Sequence, residues 1–214
     1  MGRRPEYAFD LSGGRLCLDF ANTLSNRRME PKERLQSYED LVAWARQTGL
    51  VDRVAASDLL REAARRPAEA QAVLERARAL REALFVLFSA AAAERTLPGG
   101  ALAALNAALP AALAHRRLGQ AASGLAWSWE PAGGAFDSLL WPIVHSAADL
   151  LASDERRALR ECAAGTCAWL FLDHSRNHSR RWCDMKVCGN RVKARRHYER
   201  ARRHAGRPPT AKPS

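Results

Sequence analysis

With 214 residues, 47% of them hydrophobic, the chain has apolar material for one full domain plus a small module, and several large domains are excluded. Its formal charge of +11 is unevenly placed: residues 1–154 balance 18 Lys/Arg against 18 Asp/Glu, whereas residues 155–214 hold 16 against 5. A neutral body joined to a module that carries the whole excess points to a polyanionic partner, nucleic acid first.

Gly13-Gly14 marks a turn before the apolar stretch Leu16–Phe20, which reads as a strand or as the start of a helix. Ser37-Tyr38-Glu39-Asp40 has the form of a capping box, and Leu41, Val42 and Ala45 with a closing Gly49 predict a short amphipathic helix. Another short helix is expected from Ser57 or Asp58. Pro67 sits where a first helical turn tolerates proline and opens the clearest element, Ala68 to about Arg95. There Val73, Leu74, Ala77, Leu80, Leu84, Leu87, Phe88 and Ala91 recur at helical spacing, giving a central rod of about 42 Å. Pro98-Gly99-Gly100 is expected to end it. Ala101–Leu109 reads as a helix that Pro110 kinks or stops by removing a donor. Arg116–Gln120 and Leu125–Glu130 alternate as a hairpin across Gly124, and Asp137–Leu151 is helical again.

After Asp154 the composition turns to Arg, Cys and His. Four of the five cysteines fall within 27 residues, as Cys162-x4-Cys167-x15-Cys183-x4-Cys188, and in a reducing compartment that pattern favours metal over disulfides. Zinc takes four tetrahedral thiolates as a closed, structural set. His174 and His178 lie between the pairs and are alternative ligands, and the plainest alternative is a small core of reduced thiols. Cys17, alone among apolar residues, reads as a buried hydrophobe. Leu159–Cys162 leads into the first turn, Ala168–Asp173 leaves it as a strand, and Arg180-Arg181-Trp182 reaches the second turn. Cys188-Gly189-Asn190 then opens a helix from about Arg191 to His204, with Gly189 expected to let backbone amides approach a thiolate. Hairpin followed by helix is the order of a treble-clef-like finger.

On that last helix Val192, Ala194, Tyr198, Ala201 and Ala205 form an inward face, and basic residues crowd the remainder. Arg180, Arg181, Arg191, Lys193, Arg195, Arg196 and Arg200 are the candidate nucleic-acid contacts, since such a helix suits a phosphate backbone or a major groove. One or two of Arg180, Arg181, Lys186 and Arg191 would instead offset a zinc–tetrathiolate centre, and others of the basic residues would be a solvated face.

The run Cys162, Cys167, Trp169, Phe171-Leu172-Asp173-x-Ser175, Arg180-Arg181-Trp182-Cys183-x-Met185 and Cys188-Gly189-Asn190-Arg191-x-Lys193 closely resembles the CGNR zinc finger. Upstream, Gly14-Arg15-Leu16-x-Leu18-Asp19-Phe20-x-Asn22-Thr23 resembles the opening of the ABATE domain, which precedes that finger in bacterial proteins regarded as candidate stress-induced transcription regulators. The resemblance implies one four-cysteine zinc and DNA binding. His178 departs from it, standing where the family tends to have a small residue.

The fold expected is mostly α, of the α+β class: a helical sensor or interaction domain over 1–154 with a small hairpin, a finger over 155–205, and a disordered basic tail over 206–214. Asp19, Asn22 and Thr23 read as a cap and turn network or, more sharply, as the polar corner of a ligand pocket walled by Trp44, Trp127 or Trp129. No nucleophile–base pair, phosphate-binding glycine loop or paired carboxylates stand out, so catalysis is not expected. The longest apolar run, Ala83–Ala93, is short of the ~20 residues that span a bilayer, and the first residues lack the apolar core of a leader, so a cytoplasmic protein without membrane contact is expected. The function expected is transcription regulation through DNA, with a small-molecule effector or a homodimer as the business of the body. The alternative is a module that docks protein or RNA.

Overall fold

A computed structural model describes residues 8–121, 124–130 and 135–205, with backbone alone for Ala121, Arg200, Ala201 and residues 203–205. The basic tail expected at 206–214 lies outside the described residues.

The turn at Gly13-Gly14 leads into a helix, α1 (Leu16–Ala21), and not a strand. Five of its six residues, Cys17 to Ala21, are buried, and an apolar run wrapped on all sides by protein carries no period to tell helix from strand. A two-residue ribbon follows, β1 (Leu24–Ser25) against β2 (Lys32–Glu33), which no sequence pattern announced. Helix α2 (Tyr38–Gln47) starts on the expected capping box: Ser37 Oγ accepts from Asp40 N, and Asp40 Oδ2 accepts from Ser37 N at 2.9 Å. Helix α3 (Arg53–Arg65) begins more than a turn before Ser57, because Asp52 Oδ1 accepts from Ala55 N at 2.8 Å and so supplies the cap.

The rod is α4 (Pro67–Ala92), about 39 Å of helix, burying Val73, Leu74, Ala77, Leu84, Leu87 and Phe88 at the centre of the body. Arg81 is buried on the same face, held by Glu33 through two bonds of 2.5 and 2.6 Å. That ion pair is why the β1–β2 ribbon is needed, since a guanidinium in a core must bring its counter-charge with it.

Helix α5 (Gly99–Ala114) runs through Pro110 and does not stop there. Pro110 and Asn106, whose carbonyl loses its partner, are both exposed, so water satisfies what proline removes. Strands β3 (Arg116–Ala121) and β4 (Gly124–Trp129) pair antiparallel as expected, with Leu118 opposite Trp127. A 3-10 turn over Phe136–Leu140 leads into α6 (Trp141–Ala152), which takes Pro142 in its first turn. Among the described residues no helix is long and apolar enough to cross a membrane.

The last hairpin ties the two ends of the chain together. Strands β5 (Leu159–Glu161) and β6 (Leu170–Leu172) pair antiparallel, and β6 is shorter than the strand expected over Ala168–Asp173 because Ala168 adopts a φ of 62°. Side chains alternate along a strand, and here the two faces serve two cores: Leu159, Leu170 and Leu172 belong to the core of the body, while Phe171 packs with the cysteines.

Candidate metal centre and basic helix

Each half of the centre is a turn closed by its own backbone. In the first, Cys162 N donates to Trp169 O at 2.8 Å and Cys167 N to Ala164 O at 3.0 Å. In the second, Asp184 Oδ1 accepts from Val187 N at 2.7 Å, and Asp184 O accepts from the amides of both Cys188 and Gly189 in a single π turn, Met185–Gly189. The segment between is organised by Asp173, a fully buried carboxylate that accepts from Ser175 N, Ser175 Oγ and Arg180 N.

These turns bring the four Sγ atoms within 4.8 Å of one another, with Cys167–Cys183 at 3.7 Å and Cys183–Cys188 at 3.6 Å. Four thiolates at about 2.3 Å from a tetrahedral zinc stand ~3.8 Å apart, so the donor set and its spacing fit the ion. The electrostatics agree. Bonds from the Cys167 and Cys183 thiols hold the Cys162 thiol far below its ordinary value, while those same contacts with Cys162, together with burial, push Cys167 and Cys183 up. Burial pushes Cys188 up as well. A divalent cation would offset the charge that four thiolates bring together. The backbone helps: the amides of Cys183 and Ala164 point to Cys162, and that of Trp169 to Cys167. Gly189 has a different part from the one expected. The space its Cβ would take is filled by Met185 Sδ, 2.5 Å away, and by no thiolate.

His174 is exposed and turns to Glu155, and His178 Nδ1 meets Asp173 O at 2.9 Å, so neither belongs to the thiol cluster. His178 holds a φ of 45°, a left-handed backbone that favours glycine, which gives a reason for a small residue at this position and none for histidine. The four cysteines therefore form a closed site for one structural zinc.

Helix α7 (Asn190–Ala205) leaves this centre. Val192 packs on the cysteine core, but Ala194 and Tyr198 are exposed, so among the described side chains the expected inward face holds only at Val192; the side chains of Ala201 and Ala205 lie outside the described residues. The candidate contacts divide accordingly. Arg180 is occupied internally: its guanidinium lies 4.5 Å from the Phe171 ring and donates to the carbonyls of Trp182 and Cys183, clamping the second turn. Arg181 sits over Trp182, Arg191 reaches Thr166 Oγ1 at 3.3 Å, and Arg195 pairs with Glu199 at 2.8 Å. Lys193 and Arg196 are exposed on α7. The side chain of Arg200 lies outside the described residues.

The N-terminal corner also resolves. Asp19 Oδ1 accepts from Gly13 N at 2.8 Å, and a Cβ on Gly13 would stand 2.9 Å from that same oxygen, so only glycine fits the turn. Thr23 Oγ1 donates to Phe20 O, closing α1 as a cap would. Asn22 reaches across the molecule: its Nδ2 donates to Leu170 O at 2.8 Å and its Oδ1 accepts from Leu170 N at 2.9 Å, so one side chain serves as the next strand beside β6. Trp44 walls no pocket, being fully buried against Phe20, and Trp127 stands exposed on the hairpin. The tryptophan that does face this corner is Trp169, between the cysteines, which the sequence marks as part of the finger and not of this corner.

Fold and site thus define a helical protein fused, through a shared hairpin, to a four-cysteine zinc finger. The chain belongs to the ABATE family, whose model, described as a putative stress-induced transcription regulator, matches residues 14–154. The CGNR zinc finger matches residues 158–201. A comparison with curated proteins finds no match.

Proposed function

We propose that this is a bacterial, cytoplasmic transcription regulator, and not an enzyme, which binds DNA through the finger. Residues 1–154 serve as the part that senses an effector or pairs with a second copy, residues 155–205 as the finger and residues 206–214 as a basic tail. One observation carries the reading: α7 is fixed to the zinc centre by its first turn and leaves Lys193, Arg195 and Arg196 exposed beyond it. A basic helix anchored at one end, with its described basic side chains exposed, presents charge at a defined angle, which is what a phosphate backbone or a major groove requires. The description of the family as transcription regulators supports the same reading.

The test is selection of genomic fragments by the zinc-loaded protein. Enrichment of a shared sequence supports a regulator, and uniform capture of all fragments would leave nonspecific affinity alone. Capture of RNA or protein with no affinity for duplex DNA would overturn the reading.

A further inference from the structure

A cleft of about 220 Å³ opens where the body meets the finger, lined among others by Phe9, Asp10, Asp19, Thr23, Arg34 and Trp169. At ~30 Å³ per water it has room for about seven waters, the size of a small metabolite. Its floor carries an unmet charge. Asp19 is only 9% exposed, and what remains open faces the cleft. One of its oxygens is taken by Gly13 N, and the other has no protein donor among the described residues. Burial pushes this carboxyl up to about 6, with the charge of Asp10 adding to the effect, so at neutral pH it is still ionised. Asp10 is a second acid in the same cleft, whereas Arg34, its cation, already has a partner within the protein.

The larger groove beside α3 makes the contrast. Asp52 caps that helix, Asp58 pairs with Arg61, Glu62 with Arg66, and Glu130 with Arg117, so each of its carboxylates is satisfied.

We propose that the cleft at the junction of body and finger binds a small ammonium-bearing molecule, a primary amine or an amino acid, with Asp19 receiving its charge. An ammonium carries donors that the open Asp19 oxygen and Asp10 can take up together. Phe9 and Trp169 supply apolar surface for the carbon skeleton. The site is also wired to the metal. Trp169 O accepts from Cys162 N, Trp169 N points to Cys167, and the next residue, Leu170, is gripped by Asn22. A ligand pressing on Trp169 therefore bears on two zinc ligands. Binding stands on the cleft alone; its role as an effector rests on the regulator reading.

The experiment is calorimetry and thermal shift on the full-length, zinc-loaded protein, with ethanolamine and the L-amino acids as probes and acetate as the control of opposite charge. At least one amine should bind at millimolar concentration or below while acetate does not. Asp19→Asn, which keeps an acceptor for Gly13, should weaken that amine about tenfold or more, and Asp10→Asn should weaken it less. No binding by any amine, or undiminished binding to a folded Asp19→Asn protein, would overturn the site. DNA affinity measured on the same preparations separates the two readings. A protein that binds DNA but no amine loses the cleft only, and one that binds the amine but no DNA loses the regulator role only.

Discussion

Asn22 is 3% exposed and makes both of its strong bonds to one residue, Leu170, 148 positions away. Replacing it with Ala removes the donor at 2.8 Å and the acceptor at 2.9 Å together, and leaves both backbone groups of Leu170 buried without partners on that side. Each orphaned group costs about 1–3 kcal/mol, so the expected loss is about 2–6 kcal/mol, a large part of the stability of a typical domain. Because β6 carries Leu170 and Leu172 into the body and Phe171 into the cysteine core, the loss should also loosen the finger. Urea denaturation followed by tryptophan fluorescence, with zinc present, gives the stability, and the rate of zinc transfer to a chelator should rise in parallel. Asn106→Ala, at an exposed helical position, is the control and should stay within about 0.5 kcal/mol of the parent. An Asn22→Ala protein as stable as that control, with an unchanged rate of zinc loss, would refute the bridging role.

Three further perturbations test other parts of the account. Glu33→Ala should cost about 3–5 kcal/mol by denaturation, since it leaves the buried Arg81 with Glu82 as its remaining carboxylate partner. The double variant Cys183→Ala/Cys188→Ala should lose zinc by metal analysis and lose order in the finger, because binding of a structural zinc is itself folding energy of about 10 kcal/mol or more. The Asp19 carboxyl, pushed up to about 6 by burial, stabilises the fold in full below its ordinary value near 4, and that contribution is lost as pH rises through about 6. With Asp10 the other acid and Arg34 the cation of the cleft, Asp19→Asn should therefore gain stability relative to the parent as pH rises across that window; a difference that does not change with pH would contradict the assignment.

The features legible in the sequence are those whose causes are local. The capping box at Ser37, the apolar rows of α4 and the spacing of the four cysteines each specify their structure within a few turns of chain. What escaped was set by distance. Asp19, Asn22 and Thr23 look like a helix cap because such side chains usually bond nearby backbone, and Thr23 does so, but the partner of Asn22 lies in the finger. Arg81 repeats with the apolar residues of α4, yet its burial depends on Glu33 in a ribbon too short to leave a pattern. Pro110 reads in the sequence as a kink or a stop, and exposure at Asn106 is what lets α5 continue through it. In the finger, net charge alone did not separate Arg180, which holds the second turn together, from Lys193 and Arg196, which face outward.

That separation leads to the decisive measurement, a salt titration of the zinc-loaded protein on duplex DNA. Four to five phosphate contacts by the finger, at about −0.9 each, give log K against log salt a slope of about −4. The double variant Lys193→Ala/Arg196→Ala should flatten it by about 2 on every sequence, and exposed tryptophan or aspartate changes on the body should leave it alone. An intact, metal-loaded protein with no measurable affinity for duplex DNA even at low salt would contradict the account.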